Sequence, residues 1–387
     1  MAIIYNAVAL CALGAEKTVS NELRKMGFSI EEGGYGRIRY KSGLDGLYKS
    51  LIGLRAADRV FLEVASYQAE DFDALFEGTQ NQCWEEYIPK GIGIRVTKVR
   101  TNRSKLKAET SIQALVHKAA IQRLCLKRGI NRLPDNDEEA ELRVYIEKNR
   151  VSVLLDLSGD PLFKRGYRSA GGMAPLREST AAAIILLSGW KRKFPLYDPF
   201  CGSGTIAIEA AMYAWDIAPG LGRHFALEKL LLGNKKAEQV AREEFSAKID
   251  FSRLVRIAAS DSDATVVDLA RSNLKRVMDS SGSKGLSAPL KLRFDVLPME
   301  KAKPSEESIG DEGFIITNPP YGRRLGDREA AEKTYTKMGK LAAGFPGWKL
   351  ALITDHPGFE SFFGKKADLC REITNGAIQN YLFQFKL

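Results

Sequence analysis

The sequence predicts an α/β protein: a parallel, doubly wound sheet preceded by a smaller α+β region. Three observations carry that prediction. At 387 residues the chain exceeds the roughly 250–300 residues of one compact core, so two or three domains are expected. From residue 179 onward, short apolar strands alternate with helical stretches, the pattern of a parallel sheet covered on both faces. Finally, Leu196-Tyr197-Asp198 reads as a strand that runs into a loop containing Gly202 and Gly204 and then into an alanine-rich helix. Such loops sit at the carboxyl ends of the strands, where ligands bind.

Composition narrows the function. Hydrophobic residues make up 44% and charged residues 27%, which is ordinary globular usage and excludes a disordered or fibrous chain. Lys and Arg (58) outnumber Asp and Glu (48), for a net charge of +10; the excess suggests a polyanionic partner, nucleic acid before membrane. The 5 cysteines are scattered and form no C-x-x-C pair, so neither a disulfide framework nor a thiolate zinc site is expected. His117, His224 and His356 are too far apart in sequence to suggest a metal centre. The apolar stretch Ala7–Leu13 has no basic residue before it and reads as strand rather than signal peptide. No run approaches the ~20 apolar residues that span a bilayer, and a cytoplasmic chain without metal or membrane attachment is expected.

Residues 1–65 form the first expected unit. A strand at Ile4–Ala9 leads to a helix at Glu16–Met26, with Val19, Leu23 and Met26 at helical spacing and Gly27 closing it. After a turn at Gly33–Gly36 come a strand at Arg37–Tyr40, a helix at Leu44–Gly53 and a strand at Arg59–Val64. Residues 66–158 form the second. It runs from a helix at Phe72–Gly78 and a strand at Ile92–Val99 to a helix opened by a Thr110/Gln113 capping box, with Ile112, Leu115, Val116, Ala119 and Leu124 on one face. An acidic loop, Pro134–Glu139, precedes strands Glu141–Glu147 and Arg150–Leu157, which turn at Lys148-Asn149. Between Lys98 and Arg128 lie Lys98, Arg100, Arg103, Lys105, Lys107, Lys118, Arg123, Lys127 and Arg128 against a single acid, Glu109. The bland reading is a solvated basic surface; the sharper one is a phosphate-binding face, because Lys and Arg neutralise the backbone charge that dominates nucleic-acid affinity. Residues 159–178 link these units to the doubly wound domain at 179–387.

Four strand ends carry the chemistry. Gly202 and Gly204 let the backbone turn sharply and approach a ligand. No Gly-Lys-Ser/Thr follows, so the loop is not a P-loop, and Ala207 fills the third glycine position of the dinucleotide pattern. The second strand, Val255–Ala259, ends in Ser260-Asp261-Ser262-Asp263, and Asp261, in preference to Asp263, is read as the acceptor for a ribose diol. It comes about 60 residues after the loop instead of the usual ~20; an insertion with Ala218-Pro219-Gly220 and a polar helix near 235–248 explains the excess. The third strand, Leu290–Phe294, ends at Asp295-Val296, an acid suited to an adenine amine. The fourth, Phe314–Thr317, enters Asn318-Pro319-Pro320-Tyr321-Gly322. Its prolines remove donors and fix φ, leaving carbonyl acceptors. The Asn318 amide oxygen and the Pro319 carbonyl can accept from one NH2 group while Tyr321 stacks on an extruded base.

Together these residues resemble the class I S-adenosylmethionine-dependent amino-methyltransferases, with their Rossmann-like domain. More narrowly, the whole chain is similar to the bacterial family in which a ferredoxin-like plus THUMP region precedes that domain and the exocyclic amine of a guanine in 23S ribosomal RNA is methylated. The likeness runs through Phe163–Arg168, Ala174–Glu178, the Asp198 loop, Ala218-Pro219-Gly220, Asn318–Tyr321 and Asn375-Gly376-Ala377. It implies S-adenosyl-L-methionine as cofactor, its methionine end among Asp198, Phe200, Cys201, Gly202, Gly204 and Thr205. Asp261 with Ser262 would take the ribose and Asp295 with Val296 the adenine, with Asn318 alongside. Pro175 and Glu178 would close the pocket, and Asn318, Pro319, Pro320 and Tyr321 would act on the amine. The implied partner is 23S rRNA or an assembling large subunit, contacted by Lys98, Arg100, Arg103, Lys105, Lys107, Lys164, Arg165 and Arg168 of a monomer. Where the family usually has an acid after Asn-Pro-Pro-Tyr-Gly, this chain has Arg323. Two alternatives stand beside this expectation: an adenine-N6 methyltransferase acting on DNA or RNA, and an RNA-binding module without activity.

Overall fold

The computed structural model of the chain describes residues 3–133, 138–168, 176–282, 290–304, 312–322 and 327–387. Pro175, Arg323 and the acidic positions 134–137 lie outside them. The N-terminal part comprises β1 (Tyr5–Cys11), α1 (Glu16–Lys25), β2 (Ser29–Gly34), β3 (Arg37–Ser42), α2 (Leu44–Gly53), β4 (Ala57–Gln68), α3 (Phe72–Gln80), β5 (Gly93–Asn102), α4 (Glu109–Arg128), β6 (Glu139–Glu147) and β7 (Arg150–Asp156). These strands make one sheet in the order β2-β3-β1-β4-β7-β6-β5, parallel only at β5–β6. Ala7, Ala9, Ile38, Tyr40, Val60, Leu62, Val144 and Val153 alternate onto the face covered by α1 to α4, as the two-residue period of a half-buried strand requires. On the other face Arg37 of β3 reaches Glu147 of β6 at 3.2 Å, although β1, β4 and β7 stand between those two strands in the order. The sheet therefore curls.

Three expectations change here. The boundary at residue 65 falls inside β4, so the two N-terminal units share a sheet. β2 escapes a reading from sequence because Glu31-Glu32-Gly33-Gly34 has neither apolar alternation nor β propensity; it is recruited as an edge by pairing with β3. The Thr110/Gln113 capping box does not form: Ala108 is the N-cap without a side-chain bond, and Gln113 Nε2 donates to the Val96 carbonyl at 2.6 Å instead.

The second part holds α5 (Glu178–Leu187), β8 (Leu196–Asp198), α6 (Thr205–Ala214), α7 (Lys235–Ser246), β9 (Val255–Asp261), α8 (Ala264–Ser280), β10 (Leu290–Val296), β11 (Phe314–Thr317), α9 (Asp327–Ala343), β12 (Lys349–Thr354), α10 (Phe359–Phe363), β13 (Leu369–Asn375) and β14 (Ile378–Lys386). The order is β10-β9-β8-β11-β12-β14-β13. β8 to β12 are parallel; β14 is antiparallel to both its neighbours, so the expected parallel sheet is closed by an antiparallel edge. One face packs into the core shared with the N-terminal sheet. The other is covered by α9, the loop after it and α10, through Tyr335, Phe345, Trp348 and Phe359. The order reverses between β8 and β11, and at such a switch point adjacent loops diverge and leave a crevice at the strands' carboxyl ends. The Asp198 loop and the Asn318 turn face each other there.

The two parts are joined tightly. Gly220 donates its N–H to the Ile52 carbonyl at 2.9 Å, and a Cβ at Gly220 would lie 2.7 Å from Leu51 O and Ile52 Cα. Arg177 pairs with Asp58 at 3.1 Å, and the Leu13 N–H donates to Thr374 Oγ1 at 2.9 Å.

Candidate active site

Asp198 ends β8 with 1% exposure. Its Oδ1 accepts from Thr317 Oγ1 of β11 at 2.6 Å and from the Phe200 N–H at 3.2 Å, so one carboxylate ties both loops of the switch point. Burial raises this carboxyl to about 7, against the lowering effect of those two bonds. The Cys201 N–H donates to the Ser260 carbonyl at 2.9 Å, which fastens the loop to the end of β9; burial pushes the Cys201 thiol up, so it stays protonated. Gly202 (φ +49°) faces open space, whereas a Cβ at Gly204 (φ +83°) would stand 2.9 Å from Ala270 Cβ and 3.0 Å from the Phe294 ring. Both need the left-handed backbone that glycine adopts without strain, and Gly204 also needs the missing side chain.

Asp261 Oδ2 accepts from the Gly202 N–H at 3.0 Å and its Oδ1 from the Asp263 N–H at 3.1 Å. Asp263 is committed elsewhere, capping α8 through the Thr265 N–H at 2.8 Å. A cavity of about 500 Å³ opens between these groups, within the range of small-molecule sites. Asp198, Phe200, Cys201, Gly202, Thr205, Asp261 and Ser262 line it together with Asn318 and Pro320 of the turn. The Asn318 Oδ1 atom is fully buried and has no hydrogen-bond partner among the described residues. A buried acceptor without a donor is costly, so this atom is shaped for a donor that arrives with a ligand.

Other expected residues stand off the wall. Asp295 pairs with Arg293 at 3.1 Å with its side chain 47% exposed, and Val296 is exposed. Glu178 lies buried against Arg168 at 3.5 Å, with burial raising its carboxyl. Pro319 is buried and Tyr321 half-buried, and neither is among the residues lining the cavity. Pro298, Met299 and Glu300 after β10 and Thr334 of α9 also line it; no motif marks them, and only the path of the chain brings them over the crevice.

The basic residues separate. Arg165 cannot meet RNA: its guanidinium is 2% exposed beside Glu209 at 3.4 Å, and it donates to the Arg55 and Leu162 carbonyls. Arg168 is likewise turned inward, donating to Leu176 O at 3.0 Å and to Thr205 Oγ1; it holds two residues of the cavity wall. Arg165 is thus corrected from surface to interior, and Arg168, its side chain 19% exposed, is turned against the cavity wall, because buried carboxylates and carbonyls claim them. Lys164 is exposed and pairs with Asp160. Lys98 is half-buried on β5, its pKa lowered by burial and by Arg143 and Arg100, and Arg100 pairs with Glu109 at 2.7 Å. Arg103, Lys105 and Lys107 are exposed on the loop between β5 and α4, alternating with buried Ser104 and Leu106.

Residues 165–383, more than half of the chain, match the family described as the RMKL-like methyltransferase domain. The chain belongs to this methyltransferase family. Residues 6–61 match the RlmL ferredoxin-like domain. The chain is 32% identical over 384 residues to "Putative RNA methyltransferase YpsC" of Bacillus subtilis (strain 168), covering 98% of this chain and 96% of that protein. It is 31% identical over 386 residues to "Ribosomal RNA large subunit methyltransferase K/L" of Syntrophotalea carbinolica, covering 97% of this chain and 52% of that protein. It thus spans about half the length of its K/L relatives. A solved structure, "SMU.472, a putative methyltransferase complexed with SAH", superposes with a TM-score of 0.86 and 36% identity, over 100% of this chain and 99% of that one.

The protein is an S-adenosylmethionine-dependent methyltransferase with a Rossmann-like α/β domain behind a ferredoxin-like one. The site fits that cofactor. The carboxylate of Asp261 is fixed by two backbone donors and keeps lone pairs for a diol. The glycine loop is open on its cavity side at Gly202, and the N-terminus of α6 at Thr205 offers a positive dipole end to a carboxylate.

Proposed function

We propose that the protein methylates the exocyclic N2 amine of a guanine in 23S ribosomal RNA, the base turned out of its helix into the Asn318–Tyr321 pocket. The observation that carries this reading is the unpartnered, buried Asn318 Oδ1 on the wall of the cofactor cavity. The names of the relatives support RNA as substrate. Bound S-adenosylmethionine supplies an electrophilic methyl group on a sulfonium. The chain's own residues do the rest. Asn318 Oδ1 and the Pro319 carbonyl accept the two amine hydrogens, which turns the nitrogen lone pair toward the methyl. Tyr321 stacks on the base, and Asp261 and the Asp198 loop hold the cofactor, with Asp295 and Glu178 as further contacts once it is bound. No histidine or lysine lines the cavity among the described residues, which suits a proton that leaves after methyl transfer. Residues 66–158 serve as a THUMP module, with Arg103, Lys105 and Lys107 as its exposed phosphate contacts and a monomer as the working form. Nucleoside mass spectrometry of rRNA from a deletion strain tests the reading: N2-methylguanosine should fall and return on complementation, whereas loss of N6-methyladenosine instead would overturn the guanine assignment.

A further inference from the structure

The Asn-Pro-Pro-Tyr turn has two proline residues and so two fewer N–H groups of its own, which makes the partners of its carbonyls an external matter. One is accounted for. The Tyr335 hydroxyl, from α9, donates to the Pro320 carbonyl at 2.9 Å. The same hydroxyl lies 3.0 Å from Thr354 Oγ1 at the end of β12. Direction follows from the chemistry: a carbonyl only accepts, so the phenolic proton is spent on Pro320 and Thr354 must donate to the Tyr335 oxygen. Thr354 Oγ1 in turn accepts from the His356 N–H at 3.2 Å. The result is a one-way chain, His356 N–H to Thr354 to Tyr335 to Pro320, in which each bond polarises the next.

Nothing lets that chain slip. Tyr335 is 0% exposed, edge-on to Phe359 at 4.9 Å and to His356 at 5.8 Å. The His356 ring is held at both nitrogens, with Nδ1 accepting from the Gly358 N–H at 3.1 Å and Nε2 facing Glu332 Oε1 at 3.1 Å. Burial keeps the phenol above its ordinary pKa and therefore a donor.

We propose that Tyr335 is a positioning residue for methyl transfer: by occupying the Pro320 carbonyl it fixes the turn so that an incoming amine meets only Asn318 Oδ1 and the Pro319 carbonyl. The inference rests on the amine-transfer reading above and adds a residue outside the motif. It acts through the turn and touches neither cofactor nor base.

The test is Tyr335→Phe, which deletes one hydroxyl and keeps the ring in its aromatic packing, assayed as tritium transfer from labelled cofactor to rRNA of a strain lacking the enzyme. A fall in kcat of about 10- to 100-fold is expected, with KM for RNA and Kd for S-adenosylhomocysteine within about twofold of the parent. Thr354→Val should lower kcat in the same direction and Thr354→Ser should restore it. In an Asn318→Ala background Tyr335→Phe should add nothing further, since the group it aims is gone. Unchanged kcat, or a parallel loss of cofactor affinity, overturns the positioning role while leaving the parent's RNA activity as support for the reading beneath it. A parent that transfers no methyl to an RNA amine overturns both. Should Tyr335→Phe fail to fold, the Thr354 pair decides alone.

Discussion

In the proposed mechanism Asn318 serves the substrate and Asp198 the cofactor, and both line one cavity. Asn318→Ala should lower kcat by about a hundredfold or more, as removal of a positioned polar group does. Kd for S-adenosylhomocysteine should barely change, and calorimetry beside single-turnover kinetics separates the two. Asp198 carries a stability cost. Its carboxyl sits at about 7 in the folded protein, against an ordinary value of 3.8. Between those values the native state keeps a proton that the unfolded chain has released, so stability falls as pH rises from about 4 to about 7 and levels off above. Asp198→Asn retains the acceptor for Thr317 and Phe200 without the charge. It should therefore melt higher than the parent near pH 8 and equally near pH 4, while binding the cofactor less well; thermal melts at the two pH values check this. Asp198, Asp261 and Asn318 are legible in the sequence because each ends a strand of clear pattern. Arg165 is not, because pattern alone does not say which arginine has a buried glutamate waiting.

At the scale of elements, the loop between β5 and α4 is the exposed basic segment. Ser104 and Leu106 anchor it, and Arg103, Lys105 and Lys107 project. Neutralising the three together should weaken RNA binding at low salt. It should also flatten the log–log salt dependence by roughly 0.7–0.9 for each phosphate left without its cation, with cofactor affinity unchanged. Filter binding across a salt series reads both. The nine basic residues do not form one face, because β5 and α4 belong to different layers. Arg123 is turned to Glu85 at 2.7 Å and Arg128 to the Ile88 carbonyl at 2.7 Å. Strands and helices with strong periodicity are readable from sequence. β2 and the β13–β14 edge are not, since they exist through pairing with neighbouring strands.

Across the whole molecule, the joint between the two sheets is built from buried polar ties. Arg165 bridges Glu209 on α6 to the Arg55 carbonyl just beyond α2, and Arg55 Nη2 reaches the Ile217 carbonyl at 2.8 Å. Arg165→Ala leaves the Glu209 carboxylate buried without its cation and should cost about 3–5 kcal/mol, read by chemical denaturation. A loss below about 1 kcal/mol would mean that water replaces the guanidinium. None of these ties is legible in the sequence, because they join residues 44, 110 and 162 positions apart. The close seat of Gly220 on Ile52 has a consequence for the proposed substrate. In the proposed reading, this tight joint leaves no slack between the basic loop and the crevice, and the molecule would work as a gauge. The distance from gripped phosphates to the methylated nucleotide is set by the protein, so a single base pair inserted between them in the RNA should abolish modification rather than shift it to the next residue along.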